Sequence, residues 1–342
     1  MTARVVAPKA DEERGFVRTT IALTAAAGLL VVLAGCSTGA PAGDCTPTKS
    51  SGDTSSTITA TGAFGADPEA VFPTPLISDG FQVSTISVGD GDVVYPGQYA
   101  LTAINFFDGA SGETRGSIND DSDSEPLLMR SGDGASNVGF AIECQTVGSR
   151  VAVSMSGADL WGLLNIDESA VGADEPVVVI IDIRASLLGK AYGTDQVPAQ
   201  GLPAVVTAPD GTTGIAVPAG DAPTTVTTAV LKKSDGAELT AGDSAYLHFL
   251  RVNWDDPSST KSTWHDFGSP SAFPLTVYDA ATGEGIPAAI FDALVGQRIG
   301  SQVMVVIPPA YGFAEAAMPE GVQPGETLIY VFDILGIQPN AG

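Results

Sequence analysis

Gly300-Ser-Gln-Val-Met-Val-Val-Ile307 has a counterpart in Gly148-Ser-Arg-Val-Ala-Val-Ser-Met155, and this pair decides the reading of the architecture. Each copy is followed by a β-branched run ending in Asp-Ile, Pro176 to Ile183 in the first and Thr327 to Ile334 in the second. Equivalent blocks in the same order twice indicate an internal duplication. Further strands are expected at Phe81 to Val88 and Tyr99 to Phe106 in the first copy, and at Thr225 to Lys232 and Ser244 to Val252 in the second, where β-branched and aromatic residues alternate with polar ones. Turn signals such as Gly89-Asp-Gly-Asp and Lys233-Ser-Asp-Gly separate them. One helix per copy is expected, around Pro287 to Val295 in the second, where Ile290, Leu294 and neighbouring alanines line one side. The fold class is therefore α+β: two domains, each a curved antiparallel sheet wrapped over one short α-helix. Leu187 to Pro223, rich in Gly, Pro, Ala and Thr without a sustained period, reads as the linker plus the entry strand of the second domain.

The amino terminus carries a different signal. Arg4, Lys9, Arg14 and Arg18 form a positive leader, followed by an uncharged stretch from Thr19 to Ala34 and then Leu33-Ala-Gly-Cys36. That is a signal-peptide layout. As a helix the uncharged stretch would span about 24 Å, short of the ~30 Å hydrocarbon core. Leu-Ala-Gly-Cys resembles a bacterial lipobox, so residues 1–35 are expected to be removed and Cys36 lipidated. Stable attachment then requires more than one acyl chain on that cysteine. Residues 36–61 are expected to be a disordered tether, and the protein to sit on the outer face of the cell membrane.

Loss of residues 1–35 would leave 11 basic and 37 acidic residues. Nucleic acid is thereby excluded as a partner, because phosphate binding needs clustered cations. Two further cysteines, Cys45 and Cys144, form an even pair outside the membrane, where a disulfide between them is favoured; the alternative is one free thiol in each place. The two histidines, His248 and His265, lack a second ligand at metal spacing, so no metal and no cofactor is expected. His248, in an alternating strand, reads as a solvent-facing or hydrogen-bonded imidazole. The acidic run Asn119-Asp-Asp-Ser-Asp-Ser-Glu125 lacks the glycine and distal glutamate of a calcium loop and reads as a hairpin tip. Hydrolase and kinase motifs are absent from the sequence.

Six blocks in the second copy carry a family resemblance: Gly242-Asp-Ser-Ala-Tyr-Leu-His-Phe249, Phe273-Pro-Leu275, Ile286-Pro287, Leu294-Val-Gly-Gln-Arg-Ile-Gly-Ser301, Val306-Ile-Pro-Pro-Ala-Tyr-Gly-Phe313 and Thr327-Leu-Ile-Tyr-Val-Phe-Asp-Ile334. In order and spacing they resemble an FKBP-type peptidyl-prolyl cis-trans isomerase over residues 224–338, and residues 62–186 resemble the same family more weakly. The resemblance implies tandem FKBP-like domains in a bacterial, actinobacterial-like lipoprotein. It also implies a pocket ringed by aromatic and aliphatic side chains. Phe249 falls where a strand tyrosine usually lies, Phe273 and Leu275 match a pair of phenylalanines, and Ile286 matches the aliphatic residue that opens the helix. Ile290 falls at the tryptophan floor, with Ala289 there in a one-residue shift. Phe313 matches the loop tyrosine whose hydroxyl meets a substrate carbonyl, and Tyr330 the aromatic of the last strand.

The departures bear on activity. The family's Phe-Asp pair falls on Thr260 and Lys261, with Asp266 or Trp264-His265 as stand-ins, and Tyr311 could return the hydroxyl missing at Phe313. Loss of the floor aromatic and the loop hydroxyl implies weaker ligand binding and catalysis. In the first copy Ile104 and Val179 replace two ring aromatics, leaving Phe140 at the floor position and Trp161 in the loop. The expectation is a monomeric isomerase acting on proline-containing exported proteins through the second domain. Its rival is a non-catalytic FKBP-like holdase or envelope scaffold.

Overall fold

A computed structural model describes residues 44–77, 79–118, 126–132, 137–164 and 171–338. The leader, Cys36 and the acidic run 119–125 lie outside them. In chain order the strands are β1 (Thr59–Thr61), β2 (Glu69–Val71), β3 (Gln82–Ser87), β4 (Tyr99–Asp108), β5 (Thr114–Ile118), β6 (Leu127–Arg130), β7 (Arg150–Ser156) and β8 (Pro176–Leu187). There follow β9 (Thr194–Asp195), β10 (Ala204–Thr207), β11 (Thr213–Ala216), β12 (Thr227–Lys233), β13 (Ser244–Asn253), β14 (Thr260–Ser262), β15 (Ser271–Pro274), β16 (Gln302–Ile307) and β17 (Leu328–Ile337). Two α-helices, α1 (Gly157–Leu164) and α2 (Ala288–Leu294), are the only ones among the described residues.

Two antiparallel sheets dominate. The first runs β3-β7-β8-β4-β5, with β6 on the other end of β4; the second runs β9-β12-β16-β17-β13-β14, with β15 on the other end of β13. Two of their irregularities coincide. Register shifts occur at Leu101/Thr102 between β4 and β8 and at Tyr246/Leu247 between β13 and β17. Others occur at Thr85/Ser87 between β3 and β7 and at Val230/Lys232 between β12 and β16. Bulges bend a strand and increase its twist, so both sheets are bent at these matching positions.

Alternation divides each sheet into two faces. The inner face of the second holds Leu247, Val303, Val305, Phe332 and Ile334 against Ile290, Ala293 and Leu294 of α2. Its outer face carries Leu250, Val252, Met304, Val306, Ile329 and Val331, over which Leu202, Val205, Ile215 and Val217 lie. The stretch expected to be a linker with one entry strand is thus largely structured: β10 and β11 form a hairpin covering that face, and β9 pairs with β12. Composition hid it, because four-residue strands half-covered on one side leave little periodic signal.

The first sheet is treated the same way. Ile58 and Leu76 are buried with Phe107, Ala152, Val178 and Ile180, and Ala60, Ala70 and Phe72 pack against them. Residues 45–61, expected within a disordered tether, are therefore part of the fold. Cys45 is disulfide-bonded to Cys144 with the Cα atoms 5.5 Å apart, Thr54 and Ser55 donate their N–H groups to Gln82 Oε1 at 3.1 Å, and β1 pairs with β2.

The helix positions differ between the lobes. In the second, α2 precedes β16; in the first, the equivalent place before β7 holds only a 3-10 turn at Asn137–Ala141, and α1 follows β7 instead. Gly139 lies too close to Arg130 O for a side chain, a Cβ there falling 2.3 Å from it. That tight approach brings the segment against β6 and leaves little room for a regular helix. The lobes meet through Tyr99, Leu101, Leu187, Tyr246 and Leu335, with Leu188 N donating to Leu335 O at 2.9 Å. Gly336 allows this approach, because a Cβ there would lie 2.4 Å from Leu187 Cδ2.

Candidate functional site: an aromatic cluster on the second sheet

Cross-strand pairing builds the cluster. Leu247 faces Ile334, Phe249 faces Phe332 and Arg251 faces Tyr330 between β13 and β17, so all six side chains share the inner face. Phe273 enters from β15 opposite Ala245. Phe249 is the hub: its ring centroid lies 5.8 Å from Phe273, 6.0 Å from Tyr330 and 6.5 Å from Phe332. Tyr330 stacks on Phe332 at 5.3 Å, and Phe313 reaches Tyr330 at 6.3 Å from the loop after β16. Such spacings suit offset and edge-to-face contacts.

The cluster has a floor and an open edge. Leu275, Ile290 and Phe332 are buried, as are Ile286 and Tyr330 nearly so, whereas Phe249, Phe273 and Phe313 remain partly accessible. Ile290, not Ala289, is the more deeply covered of the two floor alternatives. Beside the edge, a groove of ≈ 430 Å³ runs between Pro287 and Ala288 at the start of α2 and the loop Pro309 to Ala317, with Phe313 in its wall.

Not every residue read from the sequence joins it. Tyr311 ends a 3-10 turn at Pro309–Tyr311, is half exposed and makes no ring contact in the cluster. Asp266 is engaged elsewhere: its Oδ2 accepts from Ser262 N at 2.6 Å, closing a turn of π-helix at Thr263–Phe267. Trp264 packs toward the outer face. The same turn delivers an unforeseen aromatic, Phe267, which is 54% exposed and lies 6.1 Å from Phe249, with Lys261 Nζ 5.6 Å from its centroid.

Arg251 was also missed. It is buried beside Tyr330 and donates through Nη2 to Glu320 O at 2.8 Å. Burial pushes the Tyr330 phenol up to about 12, the Arg251 charge opposing only part of that, so the hydroxyl stays protonated. Period-two spacing from Phe249 would have placed Arg251 on this face, and the same spacing puts Phe332 with Tyr330.

The first lobe lacks the cluster. Ile104 faces Ile181 where Phe249 faces Phe332, and Val179 is buried where Tyr330 stands. Phe140 lies half-buried on its 3-10 turn, and Trp161, on α1, donates Nε1 to Val171 O at 2.9 Å. His248 is buried, not solvent-facing: Nδ1 meets Thr263 Oγ1 at 2.8 Å, and the ring stacks on Trp264 at 4.6 Å. Among the described residues no group of acidic, histidine or cysteine side chains could hold a metal ion, and no helix is long and apolar enough to cross a membrane.

No protein-family model matches the chain, and no curated protein matches it. Among solved structures, the crystal structure of FkpA from Escherichia coli is similar over 41% of this chain at 19% identity and a TM-score of 0.29, and the match spans only 53% of that chain. The three FKBP domains of wheat FKBP73 are similar over 76% of this chain and 95% of that one, at 15% identity and a TM-score of 0.30. Both are FKBP-domain proteins.

Proposed function

We propose that this is a tandem FKBP-like protein, residues 62–186 forming a degenerate first domain and residues 224–338 the binding module. More particularly, it acts as a peptidyl-prolyl cis-trans isomerase on exported proteins, tethered to the outer face of the cell membrane through lipid on Cys36. The observation that carries the reading is the half-open ring of Phe249, Phe273, Phe313 and Tyr330 over a buried floor of Ile290 and Phe332.

Rotation about a prolyl amide is slowed by a barrier of ~20 kcal/mol from amide resonance. No nucleophile or acid is needed to lower it. The twisted amide has lost charge separation, so a dry apolar surface favours it over the planar, more polar ground state. Phe249, Phe273 and Phe313 supply that surface, the Ile290 floor bounds it, and the groove beside Phe313 offers room for the chain flanking the proline. The first domain, with aliphatic residues at the ring positions, serves as a docking or structural module.

A second reading, a non-catalytic holdase, has its own support: an aliphatic floor at Ile290, no hydroxyl at Phe313, and an Asp266 carboxylate committed to its own turn. A protease-coupled proline-peptide assay on the chain from Ser37 onward separates the two. The isomerase reading expects acceleration at substoichiometric protein that is lost in a Phe249→Ala, Phe273→Ala variant. No acceleration over background would reject it in favour of the holdase. For the tether, Cys36→Ser should release the protein from the membrane fraction, and retention there would reject the lipid anchor.

A further inference from the structure

A second cavity, of ≈ 350 Å³, lies between the lobes, away from the aromatic cluster. Its wall is a row of rings drawn from both. Tyr99 of the first sheet meets His248 of the second edge-on at 5.8 Å, and His248 stacks on Trp264 at 4.6 Å. Trp264 Nε1 is buried with no hydrogen-bond partner among the described residues. An unsatisfied buried N–H carries a desolvation penalty and calls for an explanation. Gly211 packs beside it, a Cβ there lying 3.6 Å from Nε1.

The cavity is also cationic in a chain of net charge -25 with only 15 Lys and Arg. Arg130 and Lys190 both line it. Arg130 has no carboxylate within ion-pair distance among the described residues. Lys190 donates to Pro209 O and lies 5.4 Å from the Tyr192 ring, and Asp210 in the same wall offsets part of its charge. Two cations against one carboxylate leave a net charge of about one, which balances a monoanion better than a phosphate dianion. A guanidinium matches a carboxylate through two parallel N–H donors.

From this cavity we propose that the cleft between the lobes binds a small aromatic carboxylate, its anion on Arg130 and Lys190 and its ring against the Tyr99–His248–Trp264 row. The volume is near the lower end for small-molecule sites. The same chemistry is presented by a free aromatic acid and by the carboxyl end of a peptide whose last residue is aromatic.

Calorimetry on the chain from Ser37 onward, with N-acetylphenylalanine, its amide and a hexapeptide ending in free phenylalanine, tests this. Saturable binding of the free acid, about tenfold or more weaker in Arg130→Gln and in Lys190→Gln, is expected. Trp264 fluorescence should respond, and the response should vanish in Trp264→Phe. Binding of the acid alone assigns a free metabolite, and binding of the hexapeptide as well assigns a chain terminus. No saturable binding by either carboxylate overturns the proposal, as does equal binding of the amide or affinity unchanged in both charge variants. Arg130 is exposed, so Arg130→Gln should fold; an unchanged thermal midpoint verifies this.

Discussion

His248 and Asp333 face each other across β13 and β17 on the outer face of the second sheet, and their ionisation should pull stability in opposite directions with pH. Burial raises the Asp333 carboxyl from 3.8 to about 6, although Ala191 N and Gln302 Nε2 donate to it at 2.8 and 2.7 Å. Its contribution is complete below about pH 4 and is lost as pH rises through about 6. Burial, with the Arg130 charge second, lowers His248 from 6.5 to about 4, so its contribution is complete above pH 6.5 and is lost as pH falls through about 4. At about 1.4 kcal/mol per pH unit of displacement, each is worth about 3 kcal/mol, with opposite sign. In the native chain the two nearly cancel between pH 4 and 6.5. Asp333→Asn removes the descending limb: relative to wild type it should gain about 3 kcal/mol from pH 4 to 7. His248→Gln removes the ascending limb and should lose a similar amount over the same range. Urea unfolding followed by tryptophan fluorescence measures both, and difference curves cancel the groups common to all three proteins. Flat difference curves, or two of the same sign, would refute the reasoning. A constant offset from lost stacking at His248 would not.

Three other outcomes follow from the packing. Replacing Cys45 and Cys144 by Ser removes a cross-link between residues 99 apart, which should cost about 3–5 kcal/mol on a chain-entropy account and make residues 45–61 newly sensitive to protease; unchanged midpoint and digestion would refute it. Phe332→Ala should destabilise by about 3–5 kcal/mol because the side chain is fully buried, whereas partly accessible Phe249→Ala should cost less in urea while removing the proposed isomerase activity. Equal stability losses would mean the ring is core and not a binding edge. A chain beginning at residue 224 loses the hairpin over Leu250, Val252, Ile329 and Val331, so it should be less stable by on the order of 5 kcal/mol and should aggregate; a soluble fragment with an unchanged midpoint would contradict the covering role.

The central strands were legible because their pattern is physical. Residues that alternate between a packed and a covered face must be apolar on at least one side, and the spans around β7, β8, β13, β16 and β17 read accordingly. The ring was legible in part, through Phe249, Phe273 and Tyr330 on those strands. What could not be read depends on contacts distant in sequence. The hairpin β10–β11 has a burial pattern determined by a sheet formed from residues 227–337. Phe267 reaches Phe249 only because Asp266 closes a π turn. Nothing in the local spacing of Thr263 to Phe267 announces either.

On the outer face of each sheet, a buried aspartate holds the segment that precedes that sheet in the chain. In the first lobe the Asp182 carboxylate accepts from Arg150 Nε at 2.6 Å and from Gly65 N at 2.6 Å, while Arg150 also donates to Gly62 O and Ala63 O. In the second lobe Asp333 occupies the matching place, accepts from Ala191 N, and has Gln302 where the first lobe has Arg150. Each Asp-Ile aspartate therefore fastens the segment that precedes its own sheet. Each sheet is accordingly packed together with the arm that precedes it. Asp182 has a buried guanidinium against it, whereas Asp333 has only neutral donors in contact and burial pushes its carboxyl up. The second arm, which carries Lys190 to the cleft between the lobes, is thus held by a carboxyl that burial raises to about 6.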